Sequence, residues 1–304
     1  MHRVAQFYLR RWADPQGGIN ALFRDGREIT TGSEALATGK DFYAMTQPDG
    51  TKDSRVEDEF LRIWDSRGAD IMRKLVAGEF PLADEDRMKF GLFMGLQWLR
   101  GRHARLVSEE SHDLLQKFIV TAGLDQPPPL DGDEEMETET PNGSVAVPSL
   151  GHLPDELKAI LRDWDAYTFP LPQEQAIGQM VDTTPDAASY FLDADWLLFH
   201  FRGSPLLTSD EPLALGRDKD PAPRALGLEN ADLVLFPLSP RYCLAINKRN
   251  PTGLDRILPG HPGLAEEFNA IMVHNAWWEQ LYRHPDGPTF PTPKLLPERR
   301  VVIG

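Results

Sequence analysis

The chain has 304 residues, 41% of them apolar, with 47 acidic against 32 basic side chains and a formal net charge of −15. That is enough apolar material for one large domain with a real core, and the acid excess excludes a general nucleic-acid or anionic-membrane binder, because phosphate contacts need a surplus of Lys and Arg. One cysteine, Cys243, excludes an internal disulfide; no apolar run approaches the roughly 18 residues of a membrane span, and the basic opening lacks the apolar segment of a secretory signal, so a soluble, cytoplasmic protein is expected.

The opening is dense in aromatic, basic and amide side chains. Val4, Phe7, Tyr8, Leu9 and Trp12 need burial, so the segment is expected to dock as a short helix, with Gln6 and Arg10 as i,i+4 neighbours on one face. Residues 19–23 and 28–31, joined by Asp25-Gly26, predict a β-hairpin, and Ser33 a short helix through Ala37. A long helix follows over about residues 53–77, stopped by Gly78. A second starts at Asp84, with Met88, Leu92, Phe93, Leu96 and Leu99 as its stripe and a basic cluster, Arg100, Arg102, His103 and Arg105, at its end. A third, over about residues 108–122, is expected to bury Leu114, Leu115, Phe118 and Ile119, making an antiparallel bundle with the other two.

Residues 126–147 read as a disordered acidic insertion, opening on a run of three prolines and carrying almost no aliphatic side chain. The stretch 125–150 carries seven acidic residues and no basic one, which leaves −8 on the rest and room for a local basic pocket. Further helices are expected around residues 157–164 and 173–181. The last third turns to β-structure: a hairpin over residues 195–201 and 206–208 running into Ser209-Asp210-Glu211-Pro212, and a second around Pro237-Leu238-Ser239-Pro240, where a proline suits a strand end. A helix over residues 263–283 and a short strand over 300–303 complete the prediction: an α+β fold, one domain over residues 1–304, with a mostly helical N-terminal two-thirds packed on a small antiparallel sheet built mainly from the C-terminal third.

Four polar groups stand where a packed framework would hold them: His2 with Gln6 and Arg10, Gln97 with Arg100, Ser209 with Asp210, and His274 with Asn275. Each has a plain structural reading: a frayed terminus for His2, a turn for Ser-Asp-x-Pro, a solvated or backbone-bonded amide for Gln97, a satisfied core histidine for His274. The functional reading makes His2, Ser209 and Asp210 catalytic, His2 trading protons near neutral pH. Gln6, Arg10, Gln97 and Arg100 then bind substrate, the arginines clamping an anionic group.

The segments His2-x-x-x-Gln6-x-Tyr8-Leu9-Arg10, Leu96-Gln97-x-x-Arg100, Ser209-Asp210-x-Pro212 and Phe236-Pro237-Leu238-Ser239-Pro240 occur in an order that resembles the bacterial domain-of-unknown-function family 4238. Met1 and Ala5 stand where that family's pattern carries its first His and its Pro. The family has no assigned chemistry, so the resemblance implies none. No Walker loop, nucleophile elbow, zinc-protease motif or dinucleotide fingerprint is present. Asp210 and Glu211, if on a strand, would point to opposite faces and make a poor metal site; no metal and no cofactor are expected. Two readings stand: a hydrolase of a phosphodiester or nucleotide-like anion, and a non-catalytic ligand- or protein-binding regulatory module. A small anionic ligand or nucleotide is the expected partner, not long nucleic acid or membrane.

Overall fold

The computed structural model describes residues 3–38, 45–46, 52–53, 55–126, 136–140, 143–147, 149–217, 226–249, 251–276 and 280–290. The chain divides into two compact units, one of residues 1–105 with 177–302 and the other of 106–176.

The larger unit holds two sheets, not the one small sheet expected from sequence. The first has four antiparallel strands in the order β2 (Glu28–Thr31), β1 (Ile19–Phe23), β13 (Gln280–Arg283), β8 (Thr208–Ser209). The second has five, in the order β12 (Arg256–Pro259), β7 (Asp195–His200), β11 (Tyr242–Asn247), β10 (Leu233–Ser239), β9 (Ala214–Gly216). It is mixed, because β12 runs parallel to β7. Two-stranded ladders join β3 (Met45–Thr46) to β4 (Lys52–Asp53) and, in the smaller unit, β5 (Met136–Thr140) to β6 (Gly143–Val147). The latter pair lies within the stretch read as a disordered insertion, and Val147 is buried.

The single-sheet expectation fails for identifiable reasons. Residues 201–206 do not fold back on β7: Phe201 N–H donates to Arg241 O at 2.8 Å and Leu206 N–H to Pro240 O at 3.2 Å, carrying the chain past the β10–β11 turn into the other sheet. The helix predicted to Arg283 stops at Asn275, so α8 is Pro262–Asn275. Buried Asn275 imitates a strand there, its Oδ1 accepting from Leu215 N and its Nδ2 donating to Leu215 O, both at 2.9 Å. That frees residues 280–283 to become β13. Exposed His274 is not the core histidine expected. The β1–β2 and β10–β11 hairpins form, with Gly26 at φ 86°, but β10 runs on through Pro237, beyond the reach of β9, to Ser239.

The helices are α1 (Gln6–Leu9), α2 (Arg62–Val76, entered through a π-helical stretch Val56–Leu61), α3 (Asp84–Leu99), α4 (Arg102–Leu124), α5 (Asp155–Arg162), α6 (Gln173–Asp182) and α7 (Thr184–Leu192). The expected α2–α3–α4 bundle is replaced: α3 packs chiefly on α7, with α2 second. Glycines decide this. A Cβ on Gly95 would lie 2.9 Å from Thr184 O and 3.0 Å from Ala188 N, so only glycine lets the α3 and α7 backbones come this close. On α4 the expected apolar face is exposed, Leu114 at 44% and Phe118 at 48%, while Lys117 is buried on Asp113 at 2.7 Å. The core of the larger unit joins Tyr8, Trp12, Phe90, Phe93, Trp196 and Phe236. Residues 300–303 lie outside the described residues.

Candidate functional site

Three segments distant in sequence meet in the larger unit: the opening residues, the bend between α3 and α4, and the turn after β8. The opening segment is anchored first by apolar burial. Tyr8 stacks on Phe236 with ring centroids 5.4 Å apart, and its hydroxyl bonds Thr208 Oγ1 at 2.5 Å. Burial pushes the Tyr8 phenol well above its ordinary range, so the ring enters the core uncharged.

Gln97, 2% exposed near the end of α3, uses both ends of its amide. Its Nε2 donates to Arg3 O at 3.1 Å, while its Oε1 accepts from Ala5 N at 3.4 Å and from Arg100 Nε and Nη2 at 3.1 and 2.5 Å. Arg100, 1% exposed, also holds Asp65 of α2, Nη2 to Oδ1 at 2.9 Å but off the hydrogen-bonding direction. Arg3 N–H donates to Ala37 O at 2.9 Å, and Ala37 has φ 48°, a left-handed conformation that a non-glycine residue keeps only where its surroundings fix it. One amide on α3 thus ties the opening segment to a buried guanidinium.

The turn after β8 contributes two carboxyl groups. Ser209 Oγ accepts from Glu211 N at 3.1 Å and donates to Glu211 O at 2.8 Å, with Met272 Sδ at 3.4 Å, and this local ring turns the chain as β8 ends. Asp210 and Glu211 are 5% and 6% exposed. The Glu211 carboxyl lies over Gly101, where a Cβ would meet Oε2 at 2.2 Å, and its Oε1 accepts from His103 N at 3.1 Å in the first turn of α4. Two opposed influences act on its proton. Burial and the neighbouring Asp210 charge raise the pKa, the backbone amides of His103 and Arg102 and the Arg3 charge lower it, and burial prevails, pushing it from 4.5 up to about 8. At neutral pH Glu211 is therefore a carboxylic acid, able to donate a proton.

The residues expected from sequence divide. Gln97 and Arg100 are in direct contact, and Ser209 and Asp210 belong to the turn that carries Glu211. Gln6 and Arg10 bond each other at 3.0 Å on the outer face of α1, where Arg10 is exposed. His2 lies outside the described residues. Sequence reasoning missed Arg3, Asp65 and Glu211. Glu211 was set aside on the assumption of a strand, but β8 ends at Ser209; Pro212 and the serine two residues before Glu211 were the available signals of a turn. Among the described residues no three His, Cys, Asp or Glu side chains gather to hold a metal, and no helix is long and apolar enough to cross a membrane.

A model of the family described as "Protein of unknown function (DUF4238)" matches residues 2–287. The chain belongs to the DUF4238 family. The match spans the opening segment, the α3–α4 bend and the turn after β8, so the convergence concerns residues within this member's family region. No curated protein and no solved structure matches the chain.

A separate cavity of about 570 Å³ is lined in part by Asp84, Arg87, Asp195, Leu254 and Asp255. Its inner carboxylates already hold structure. Asp195 accepts from the backbone of Thr252, Gly253 and Leu254, which keeps it below the usual carboxylate range. Asp255 accepts from Trp196 N and pairs with Arg87. The turn after β8 is thus the stronger candidate.

Proposed function

We propose that this DUF4238 member is a bacterial, cytoplasmic hydrolase of a small anionic substrate of phosphodiester or nucleotide-like type, and that the Asp210–Glu211 pair moves its protons. The observation that carries the reading is two adjacent buried carboxyl groups, one of them protonated at neutral pH. A carboxyl group whose surroundings raise its pKa is the arrangement that general-acid catalysis uses. In this reading Asp210 accepts a proton from a water whose oxygen attacks phosphorus. Glu211 gives its proton to the departing ester oxygen as the phosphorus–oxygen bond breaks. The products are a phosphomonoester and an alcohol, and proton exchange with solvent resets the pair. Gln97, Arg100 and Ser209 hold the framework.

Turnover of bis(p-nitrophenyl) phosphate and of short dinucleotides by the purified protein tests this. Glu211→Gln keeps the shape and neutrality of the protonated side chain, so it should fold and yet lose about 100-fold or more in kcat, the usual worth of a positioned acid; Asp210→Asn should do the same while retaining substrate. Wild-type rates in both variants, or no turnover of any phosphodiester or nucleotide, would refute it. A non-catalytic binding module is the second reading, favoured by the engagement of Arg100 Nε and Nη2 with Gln97 and of Nη2 with Asp65. It predicts saturable ligand binding with no turnover in any variant.

A further inference from the structure

We infer that Arg3 is the seat of a ligand oxyanion, a phosphate or a carboxylate, bound between its guanidinium and the Glu211 carboxyl group. Arg3 is 8% exposed, and its Nε is closed off from solvent with no hydrogen-bond partner. Among the described residues its guanidinium forms no ion pair, and its only hydrogen bonds are made by its backbone, to Ala37 and Gln97. A buried guanidinium without a counter-charge is disfavoured unless an anion meets it. Among the described residues, the other strongly buried cations have partners: Arg100 has Asp65, and Lys117 has Asp113.

The nearest candidate anion is not one at neutral pH. Arg3 acts electrostatically on Glu211, yet Glu211 keeps its proton. Its Oε1 accepts from His103 N, and its Oε2 lies over Gly101. A neutral carboxyl donor and a guanidinium are complementary to the oxygens of a tetrahedral or planar oxyanion. The seat is held by Gln97 through Arg3 O, which explains why a buried amide is spent on main chain. The charged groups facing Glu211 are Arg3 on the opening segment and Asp210 in its own turn, with Arg102 and His103 meeting it through their amides on α4. Ionising Glu211 sets a second carboxylate beside Asp210 and supplies Arg3 with an internal anion. The oxyanion should then be expelled.

This inference rests on the proposed site but is separable from the proposed reaction. Calorimetric titration of the full chain with sulfate, with AMP and with acetate separates tetrahedral from planar oxyanions, and sulfate keeps its own charge across the range used. Wild type is expected to bind at least one of them saturably, with affinity falling at least tenfold as pH rises through about 8. Arg3→Met should lose at least tenfold, Arg3→Lys should keep part of the affinity, and Arg27→Ala, on an exposed hairpin, should keep all of it. Circular dichroism confirms that each variant is folded. No saturable binding of any of the three by wild type, or Arg3→Met and Arg3→Lys both binding as wild type, would overturn the inference. Arg3-dependent binding without turnover would leave this seat standing and defeat the hydrolase reading; turnover unaffected in Arg3→Met would do the reverse.

Discussion

Glu211→Gln should make the protein less sensitive to rising pH, because it removes a proton that the fold must hold against solvent. In the folded chain the Glu211 carboxyl titrates at about 8, against 4.5 for its ordinary value. Below 4.5 both states are protonated and the group has no effect; between the two values the unfolded chain ionises freely while the folded chain does not. A raised folded-state pKa therefore gives stability that is complete below the unfolded value and is lost as pH rises through the folded value. Each pH unit in that window lowers the wild type's stability by roughly 1 kcal/mol, so the step from about pH 5 to about pH 7 costs roughly 2–3 kcal/mol. Glutamine occupies the same space over Gly101, accepts from His103 N through its carbonyl oxygen, and does not titrate. Urea unfolding followed by tryptophan fluorescence, run at several pH values on both proteins, reads the difference; Trp12 and Trp196 are wholly buried in the same core. The stability of the variant relative to wild type should rise with the stated slope and level off above about 8. Parallel pH profiles would show that Glu211 is ionised in the folded protein and that the reasoning is wrong.

Gly95→Ala should lower stability by about 1–3 kcal/mol, since its Cβ would meet backbone rather than a yielding side chain, whereas Gly178→Ala, on α6 with nothing within 4 Å, should raise it by about 0.5–1 kcal/mol; equal effects in thermal unfolding would refute the account of the α3–α7 seam. Tyr8→Phe leaves Thr208 Oγ1 enclosed without its partner and should cost about 1–3 kcal/mol. The double variant with Thr208→Val should recover part of that loss, and simple additivity of the two substitutions would contradict it.

What the sequence made legible was local. The Asp25-Gly26 turn and the stop at Gly78 follow from chemistry that acts within a few residues and appear where expected, whereas β10 runs on through Pro237 to Ser239. The resemblance to DUF4238, carried by the order of short motifs, also held. Partner choice was not legible, because it depends on surfaces that meet only in three dimensions. Gly91 and Gly95 look like weak helix residues in sequence, yet they admit α7, and Leu114 and Phe118 keep helical spacing without finding a core. The same limit applied to the site. Gln97 and Arg100 are neighbours on one helix turn and could be paired by inspection. Arg3 gave no signal, since nothing near it in sequence says that its guanidinium ends up enclosed. Glu211 lay next to a noticed residue and was lost by extending a two-residue strand too far.

The proton at Glu211 carries the proposed chemistry. Carbon-13 NMR of side-chain carboxyl groups, with the Glu211 signal assigned by its disappearance in Glu211→Gln, follows that proton without reference to activity or stability. A midpoint near 8 is the predicted result; a midpoint at the ordinary value of 4.5 would mean that the buried pair holds two charges, and the acid required for the proposed reaction would not exist.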